Sequence, residues 1–348
     1  MSHARIVGAG LIGTSIALGL SKEGWTIEIS DKDAGSAALA RDLLQGSLSD
    51  GSADLVVVAT PPNEVIAILK SEFAANPSAI FIDTASIKTN VVQEVEALPA
   101  LSRQFVGSHP MAGREIGGAQ SAQGDLFRGR AWILTPTSIT SKSAIELVEK
   151  VINDLGATAY HMTASQHDEL MARISHLPQL VSTALATTVI RGSGIELAGQ
   201  GLRDMTRLAS SDGGLWSEIL IGNKEEISRT IKEFVAILNS MDRSIQSNDS
   251  QAIRSTFDTG RESRNLISGK HGKQARPYKY LRIVIEDRPG QLSKIISDCS
   301  TIEANIEDLS IEHSPGQFTG LITLAFLEEH AERVRTHLMN QGWNVHLA

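Results

Sequence analysis

Hydrophobic and polar positions follow two different periods along this chain, and the first region combines them. Between residues 4 and 161, amphipathic stretches such as NEVIAILKSEF alternate with the short apolar runs ARIVG, WTIEIS, DLVVVAT, AIFIDTA, QFVGS and AWILT. Apolar strands that are separated by helices are typical of a parallel sheet with helices on both faces. We therefore predict an α/β domain with a parallel sheet over residues 1–162.

The rest of the chain shows two further patterns. Strand signals end near Thr163, and successive helical patterns predict an all-helical domain over residues 163–268. The Gly-rich and basic stretch SGKHGKQARPYK at 268–279 is typical of a linker. Residues 279–348 then predict strand, helix, strand, strand, helix and strand, the βαββαβ order of a ferredoxin-like domain.

Composition and charge narrow the class of protein. A length of 348 residues suits two or three domains. The net charge of −8 disfavours a nucleic-acid partner, because it would repel the phosphate backbone. The single cysteine, Cys299, allows no intramolecular disulfide, and we expect a cytoplasmic protein. No apolar stretch approaches the ~20 residues that span a bilayer, so we expect no membrane association.

A glycine motif after the first strand predicts a dinucleotide site. In GAGLIG at residues 8–13, Gly8 allows a tight turn, Gly10 lets a pyrophosphate approach the backbone, and Gly13 lets the helix pack on the strand. Asp31 ends the second strand, where a carboxylate binds the ribose and repels a 2′-phosphate, so NAD is favoured over NADP. Lys32 leaves mixed use of the two cofactors open. The predicted cofactor-binding residues are Gly8, Gly10, Leu11, Ile12, Gly13, Asp31, Thr60 and Pro61.

Each of these residues also has a plainer interpretation. The glycines could serve ordinary turns, and Asp31 could cap the following helix. Thr60 and Pro61 follow the third strand, where they could flank the adenosine side of the cofactor or form a simple strand-to-helix turn.

Candidate catalytic groups follow the fourth and fifth strands, because ligands of open α/β sheets bind beyond the carboxyl ends of the strands. His109 in GSHPMAGRE is the best candidate for a general base, since imidazole titrates near neutral pH. A surface-loop histidine is the alternative. Ser86 in DTASIK could hydrogen-bond the imidazole or a substrate hydroxyl, or it could cap the helix KTNVVQEVEAL.

The helical region adds further candidates. Arg203 and Arg207 are four residues apart, so one helix face could present both cations to a carboxylate, or both could pair with Asp204 or glutamates on a solvated face. His176 in ISHLP could serve the site or lie in the interior, with Pro178 kinking the helix. No metal-ligand spacing is present, and we predict no catalytic metal.

Several of these segments together resemble one family. The segments GAGLIGTSIALGL, DTASIK, GSHPMAGRE, ISHLP and GLRDMTRLASSD occur in the order of the prephenate dehydrogenase family, and IEDRPGQLSKI resembles an ACT domain, a small amino-acid-sensing module. The resemblance implies a Rossmann-type NAD-binding domain, an all-α dimerisation domain and a C-terminal ferredoxin-like ACT domain. It also implies a homodimer that oxidatively decarboxylates prephenate to 4-hydroxyphenylpyruvate in tyrosine biosynthesis.

The resemblance also implies roles for particular residues. His109 resembles the family's catalytic histidine, Ser86 its hydroxyl partner and His176 a second active-site histidine. The implied substrate-binding residues are Arg207, which holds a substrate carboxylate, together with Arg203, Glu115, Arg114 and Ser211. Arg114 departs from the small polar residue expected at its position. Asp204 and Trp216 occupy positions that in relatives lie near the active site across a dimer interface.

The first strand-to-helix turn of the C-terminal domain is a candidate regulatory site. We expect tyrosine to inhibit by binding at the turn formed by Asp287, Arg288, Pro289 and Gly290; the alternative is a C-terminal domain that only braces or dimerises the enzyme.

The alternative activities are those of an arogenate dehydrogenase or a β-hydroxyacid dehydrogenase, although the latter commonly needs a catalytic lysine in the helical domain and no clear candidate is present. An NAD-bound sensor is the non-enzymatic alternative.

Overall fold

The structure is a computed structural model that describes residues 2–44, 52–113, 117–192, 194–267, 278–286, 288–313 and 319–347. It forms two compact units. The first comprises Met1–Gly192 with Met205–Asn239, and the second comprises Ser193–Asp204 with Ser240–Ala348. These units are defined by contacts, whereas the predicted borders near residues 162 and 268 mark changes in the type of secondary structure.

A seven-stranded sheet forms the centre of the first unit, in the order β2-β1-β3-β4-β5-β6-β7. Its strands are β1 His3–Val7, β2 Thr26–Ser30, β3 Leu55–Val58, β4 Ile80–Asp83, β5 Phe105–Pro110, β6 Ala131–Pro136 and β7 Thr158–His161. The first six correspond to the predicted apolar runs. The strand β7 was not predicted, because its sequence TAYH is short and mostly exposed at the sheet edge.

The direction of one strand differs from the prediction of a parallel sheet. Strands β1 to β5 are parallel, but β6 is antiparallel to β5, with His109 opposite Ile133. A parallel crossover needs a helix that carries the chain back along the sheet. Among the described residues between β5 and β6, only a single 3₁₀ turn at Ala119–Ser121 is helical, so the chain re-enters the sheet in the opposite direction. A crossover helix does follow β6, and β7 is again parallel to it.

Helices cover both faces of this sheet. They are α1 Leu11–Lys22, α2 Ala34–Leu44, α3 Val65–Ala75, α4 Thr89–Glu96, α5 Pro99–Ser102 and α6 Lys142–Asp154. Successive side chains of a strand point to opposite faces. Accordingly, Leu55 and Val57 of β3 belong to one buried cluster, whereas Val56 and Val58 belong to the other.

The predicted succession of helices follows β7. It consists of α7 Ala164–Met171, α8 Leu177–Val189, α9 Gln200–Thr206, α10 Gly213–Gly222, α11 Lys224–Gln246 and α12 Ser250–Leu266. The helix α7 starts at a capping box in which Thr163 and Gln166 bond each other's backbone N–H groups. It continues into α8 through a π-helical turn at Ala172–His176, just before Pro178, whose lack of an N–H disturbs the regular helical bonding.

The C-terminal residues form a second sheet, in the order β11-β8-β10-β9, with all neighbours antiparallel. The elements are β8 Tyr278–Glu286, α13 Gln291–Ser300, β9 Asp308–His313, β10 Thr319–Leu327, α14 Glu328–Asn340 and β11 Val345–Leu347. Their order is the predicted βαββαβ order. Alternate residues of β8, Leu281, Ile283 and Ile285, are buried in a shared core with both helices. Within the described residues, no helix is long and apolar enough to span a membrane.

Candidate active site

The glycine loop between β1 and α1 combines two tightly packed glycines with an open one. Gly8 has φ +108°, and a Cβ there would lie 2.2 Å from the carbonyl oxygen of Ala59; a Cβ on Gly13 would lie 2.0 Å from the carbonyl oxygen of Gly8. Apart from its own helix and its chain neighbours, no described residue has an atom within 4 Å of the Cβ position of Gly10, the N-cap of α1. This open position at a helix N-terminus fits a pyrophosphate, so the residues present suit a dinucleotide.

The carboxylate of Asp31 lies beside this loop. Its oxygens accept the N–H groups of Ala9 at 2.7 Å and Asp33 at 2.8 Å. The helix-capping interpretation of Asp31 is wrong, because Asp33 accepts the N–H of Ser36 in the first turn of α2. Lys32 forms an ion pair with Glu64 at 2.5 Å. Asp31 is therefore fixed where the ribose of a dinucleotide is expected, and the neighbouring cation already has an acidic partner.

Thr60 and Pro61 follow β3 at the same edge of the sheet. The methyl group of Thr60 lies 3.2 Å from the Cβ position of Gly8, and its buried hydroxyl has no hydrogen-bond partner among the described residues. Pro61 is exposed. A buried polar atom without a partner beside the glycine loop is suited to contact a ligand there.

His109 lies at the carboxyl end of β5 and is the first member of a hydrogen-bonded series. Its Nδ1 is 2.8 Å from Nε2 of His167, and Nδ1 of His167 is 2.8 Å from Oδ1 of Asp168. The helix α7 supplies both His167 and Asp168. His109 is partly exposed, whereas His167 is fully buried.

The N-terminus of α4 anchors the carboxylate of Asp168. Its two oxygens accept the backbone N–H groups of Lys88 and Thr89, each at 2.8 Å, and the amide of Asn223 donates to its backbone carbonyl at 2.8 Å. Burial acts to raise the pKa of Asp168, but the hydrogen bonds from His167, Thr89 and Lys88 outweigh burial and lower it. The side chain is therefore a carboxylate at neutral pH.

The same surroundings keep three histidines neutral. Burial lowers the pKa of His109 well below its usual value, and His167, Lys88 and His176 lower it further. Burial also lowers the pKa of His167, although Asp168 acts against this effect. The pKa of His176 falls to about 4, chiefly through burial. All three imidazoles can therefore accept a proton at neutral pH.

A buried ion pair braces the strand ends beneath His109. Lys88 and Asp83 are both fully buried and bonded to each other, and Nζ of Lys88 also donates to the carbonyl of Ser108 at 2.8 Å. Asp83 accepts the N–H of Ser108 at 3.0 Å, and the indole N–H of Trp132 donates to the Ser108 hydroxyl at 3.1 Å. These bonds join the ends of β4, β5 and β6, and so fix the backbone that carries His109.

A cavity of about 330 Å³ lies next to the polypeptide that follows β5. Its lining residues are Gly113, Gln179, Arg207, Leu208, Ser210, Ser211 and Trp216. The amide of Gln179 donates to the carbonyl of Leu208 at 2.7 Å, and the hydroxyl of Ser211 donates to the same oxygen at 2.9 Å. Arg207 is a cation at this cavity, and the described lining residues include no carboxylate.

Comparison with known proteins identifies the family. The nucleotide-binding domain of prephenate dehydrogenase matches residues 16–161, and the dimerization domain of prephenate dehydrogenase matches residues 163–259. The chain belongs to the prephenate dehydrogenase family. It is therefore an NAD-dependent oxidoreductase.

Individual relatives agree with this family. The chain is 28% identical to prephenate dehydrogenase of Bacillus subtilis, over 92% of this chain and 91% of that protein. It is 26% identical to a probable prephenate dehydrogenase of Streptomyces niveus, over 99% of both. A crystal structure of prephenate dehydrogenase from Aquifex aeolicus, in complex with hydroxyphenyl propionate and NAD⁺, is 30% identical with a TM-score of 0.70; the match covers 77% of this chain and 99% of that one. A Synechocystis arogenate dehydrogenase structure is 25% identical with a TM-score of 0.67, over 75% and 98% of the two chains.

The other predicted site residues of this prephenate dehydrogenase family member do not all line the cavity. Arg207 and Ser211 line the cavity together. His176 is buried, and its Nδ1 lies 3.2 Å from the amide nitrogen of Asn223. Its ring forms a T-shaped contact with the ring of Trp216, a lining residue of the cavity, with centroids 6.0 Å apart.

Two expectations about helices are wrong. Arg203 and Arg207 do not share one α-helix face, because α9 ends at Thr206 and Arg207 begins a 3₁₀ turn. Ser86 does not cap α4, because Lys88 occupies the N-cap position. Ser86 is partly exposed in the β4–α4 loop, and Arg203 is exposed on α9. Asp204, also exposed on α9, accepts a hydrogen bond from Gln200 at 2.7 Å.

Some predicted positions lie outside the described residues, namely Arg114, Glu115 and Asp287. Arg288 is exposed and pairs with Glu286. Gly290 has φ +90° and is the N-cap of α13.

Sequence reasoning missed His167 and Asp168, although the sequence contains a signal for them. Ala164, His167, Asp168 and Met171 have the i, i+3, i+4, i+7 spacing of the buried face of a helix. Polar residues at such positions need buried partners. The spacing could therefore have indicated that these two side chains bond to the sheet. Lys88, which is fully buried, was missed for a different reason: nothing in DTASIK distinguishes it from a surface lysine.

Proposed function

We propose that this chain catalyses the NAD-dependent oxidative decarboxylation of prephenate to 4-hydroxyphenylpyruvate, a step of tyrosine biosynthesis. The observation that carries this proposal is the position of His109. His109 lies at the carboxyl end of β5, which runs parallel to β1, β2 and β3. The glycine loop follows the carboxyl end of β1, Asp31 follows that of β2, and Thr60 follows that of β3. A proton acceptor and a dinucleotide site therefore share one edge of the sheet.

The cofactor would be held by the glycine loop, the N-terminus of α1, and Asp31. When bound, NAD supplies the hydride acceptor for the oxidation. Asp31 supports NAD over NADP, because its carboxylate is fixed by the N–H groups of Ala9 and Asp33 and would repel a 2′-phosphate. The ion pair of Lys32 with Glu64 further reduces any attraction for that phosphate.

The substrate carries two carboxylates and a hydroxyl on C4 of its ring. Arg207 binds a carboxylate at the cavity, and Ser211 offers a hydroxyl beside it. His109 takes the proton of the C4 hydroxyl as that carbon is oxidised. The ring carboxylate then leaves as CO₂, because its bonding electrons enter the new dienone and make the ring aromatic. Ser86, Arg203, Arg114, Glu115 and His176 remain proposed members of this site.

Arogenate, the amino analogue of prephenate, carries an ammonium group where prephenate carries a keto group, and an ammonium calls for an acidic partner. Glu115 is the acidic residue among the proposed members of this site, so activity with the two substrates has to be compared side by side.

A direct test uses the purified full-length chain with prephenate or arogenate and with NAD or NADP, followed by absorbance of the reduced cofactor. We expect prephenate with NAD to give the highest kcat/KM. His109→Asn should keep NAD affinity and lose about 10²- to 10⁴-fold in turnover. His161→Asn, an exposed histidine of β7, serves as the control and should retain activity. Turnover of His109→Asn close to that of the wild type would contradict the assignment.

We also propose that the enzyme is a cytoplasmic homodimer. The helices α10 and α12 carry the exposed apolar side chains Ile221, Phe257 and Leu266, each more than half accessible in the single chain. Contact with a second copy would remove these groups from water. Light scattering should give twice the chain mass, and a monomer at working concentrations would refute the dimer.

For regulation, we propose that the C-terminal domain acts as an ACT domain and binds tyrosine as an inhibitor. The turn before α13 supports this, because Gly290 adopts a left-handed conformation that leaves the helix N-terminus accessible. We expect tyrosine to inhibit the full-length enzyme, and Gly290→Ala to weaken inhibition without changing the basal kcat. Activity that saturating tyrosine leaves unchanged would favour a purely bracing role.

A further inference from the structure

The serial bonding of His109, His167 and Asp168 does more than position one imidazole. Each link is 2.8 Å long, and the last member is held by two backbone N–H groups of α4. The series starts at a partly exposed ring and ends at a carboxylate that is 2% exposed. It resembles the nucleophile–histidine–carboxylate arrangement of hydrolases, with the substrate hydroxyl as the outer member.

The hydrogen bonds determine which ring nitrogens carry protons, starting from Asp168 and proceeding to His109. Asp168 is a carboxylate and can only accept, so Nδ1 of His167 is the donor to it. A neutral His167 then has a lone pair on Nε2, and Nδ1 of His109 must donate to it. This leaves Nε2 of His109 without a proton. The bonding pattern therefore assigns Nε2 as the basic atom of His109.

The charges around the two rings differ. His109 faces His167, Lys88 and His176, and no carboxylate of the described residues stabilises a proton on it. Lys88 also lowers the pKa of His167, but the carboxylates of Asp168 and Asp83 raise it. A positive charge is therefore better placed on His167 than on His109.

We propose that His167 and Asp168 form a proton relay behind His109. The substrate hydroxyl gives its proton to Nε2 of His109, and the Nδ1 proton of His109 passes to Nε2 of His167. The Nδ1–H of His167 stays bonded to Asp168, so His167 becomes an imidazolium beside a carboxylate while His109 is neutral. Reversal of the inner transfer and loss of the Nε2 proton of His109 to solvent restore the starting state.

The proposal rests on the proposed function, but its first test does not require turnover. Nitrogen-15 NMR of the full-length enzyme with labelled histidine reports which ring nitrogen carries the proton. We expect His109 and His167 both to be protonated on Nδ1 and bare on Nε2, with the two signals assigned by single His→Gln variants. A proton on Nε2 of His109 in the resting enzyme would overturn the relay whether or not prephenate is the substrate.

The second test separates the relay from simple positioning. His167→Gln keeps an oxygen that can accept from Nδ1 of His109 but cannot take up a proton. The relay predicts a loss of about tenfold or more in kcat at nearly unchanged KM for prephenate and NAD. A kcat within twofold of the wild type would show that a hydrogen-bond acceptor suffices, and would overturn the proposal.

Asp168→Asn tests the relay through the pH dependence of kcat. Asp168 stabilises the protonated form of the histidine pair, so its neutralisation should lower kcat and move the acid limb of the kcat profile to lower pH. An acid limb that stays in place would contradict the relay. His3→Asn is the matched control, because His3 is also buried, bonds a carbonyl at 3.1 Å and lies at the opposite end of the sheet; it should change thermal stability only.

If the variants at position 167 or 168 do not fold, the wild-type enzyme still gives a test. Single-turnover rates plotted against the deuterium content of H₂O–D₂O mixtures should fall on a curve below the straight line that joins the rates in the two pure solvents, because two protons are transferred in the same step. A straight line would indicate one proton in transfer and overturn the relay.

Discussion

Gly10→Ala separates cofactor binding from folding more sharply than any other change in the glycine loop. Gly10 has φ −79° and ψ −167°, an extended conformation that alanine adopts without strain, and an added Cβ would lie more than 4 Å from every described residue beyond its own helix and chain neighbours. The variant should therefore fold with a free energy of unfolding within about 1 kcal/mol of the wild type. The new methyl group fills the open position where a pyrophosphate would approach the N-terminus of α1. Loss of one charge-assisted hydrogen bond costs about 1.5–3 kcal/mol, which corresponds to roughly 10- to 100-fold weaker NAD binding.

The assay is calorimetric titration with NAD, together with urea unfolding of the same preparations. Gly13→Ala is the matched control, because its Cβ would lie 2.0 Å from the carbonyl oxygen of Gly8 and must displace backbone. That variant should lose both stability and NAD affinity. An NAD affinity of Gly10→Ala within twofold of the wild type would refute the assignment of the loop as the pyrophosphate site.

Four further predictions address the remaining parts of the site. Arg207→Ala should raise KM for prephenate by about 10- to 100-fold with a smaller effect on kcat, since it removes a charge-assisted bond; equal KM values would exclude Arg207 from substrate binding. Lys88→Met should lower the free energy of unfolding by about 3–5 kcal/mol in urea titration, because it leaves Asp83 buried without its partner; a loss below about 1 kcal/mol would contradict this. Asp31→Ser should improve the kcat/KM ratio of NADP to NAD, and an unchanged ratio would show that Asp31 does not face the ribose. The pKa of His109 is lowered and the base must be unprotonated, so kcat/KM should persist as pH falls below about 6.5 and decline only at lower pH; a decline already centred above neutral pH would contradict this environment.

Strand positions were largely predictable because they depend on local apolar runs. The runs for β1 to β6 supply side chains to the cores on the two faces of the sheet, and burial of both faces requires such runs. The direction of β6 was not predictable from its own sequence, AWILT, because direction depends on the path of the preceding connection. The strand β7 has too few buried side chains to leave a pattern.

Single residues of the site were predictable where one local rule places them. Gly8, Gly10 and Gly13 follow a strand and open a helix, and this context alone sets their roles. Contacts between distant segments were not predictable: His167 lies 58 positions from His109, and only the packing of α7 on the sheet brings them together. The spacing of Arg203 and Arg207 was misleading, since an i, i+4 relation holds only while the helix continues, and α9 ends between them.

The central claim is that His109 and a bound dinucleotide together oxidise and decarboxylate prephenate. Its most direct measurement is the stoichiometry of NADH, CO₂ and 4-hydroxyphenylpyruvate released from prephenate labelled in the ring carboxylate, for the wild type and His109→Asn side by side. We predict equal amounts of the three products from the wild type and almost none from the variant. NADH formation without labelled CO₂, or equal product formation by both proteins, would contradict it.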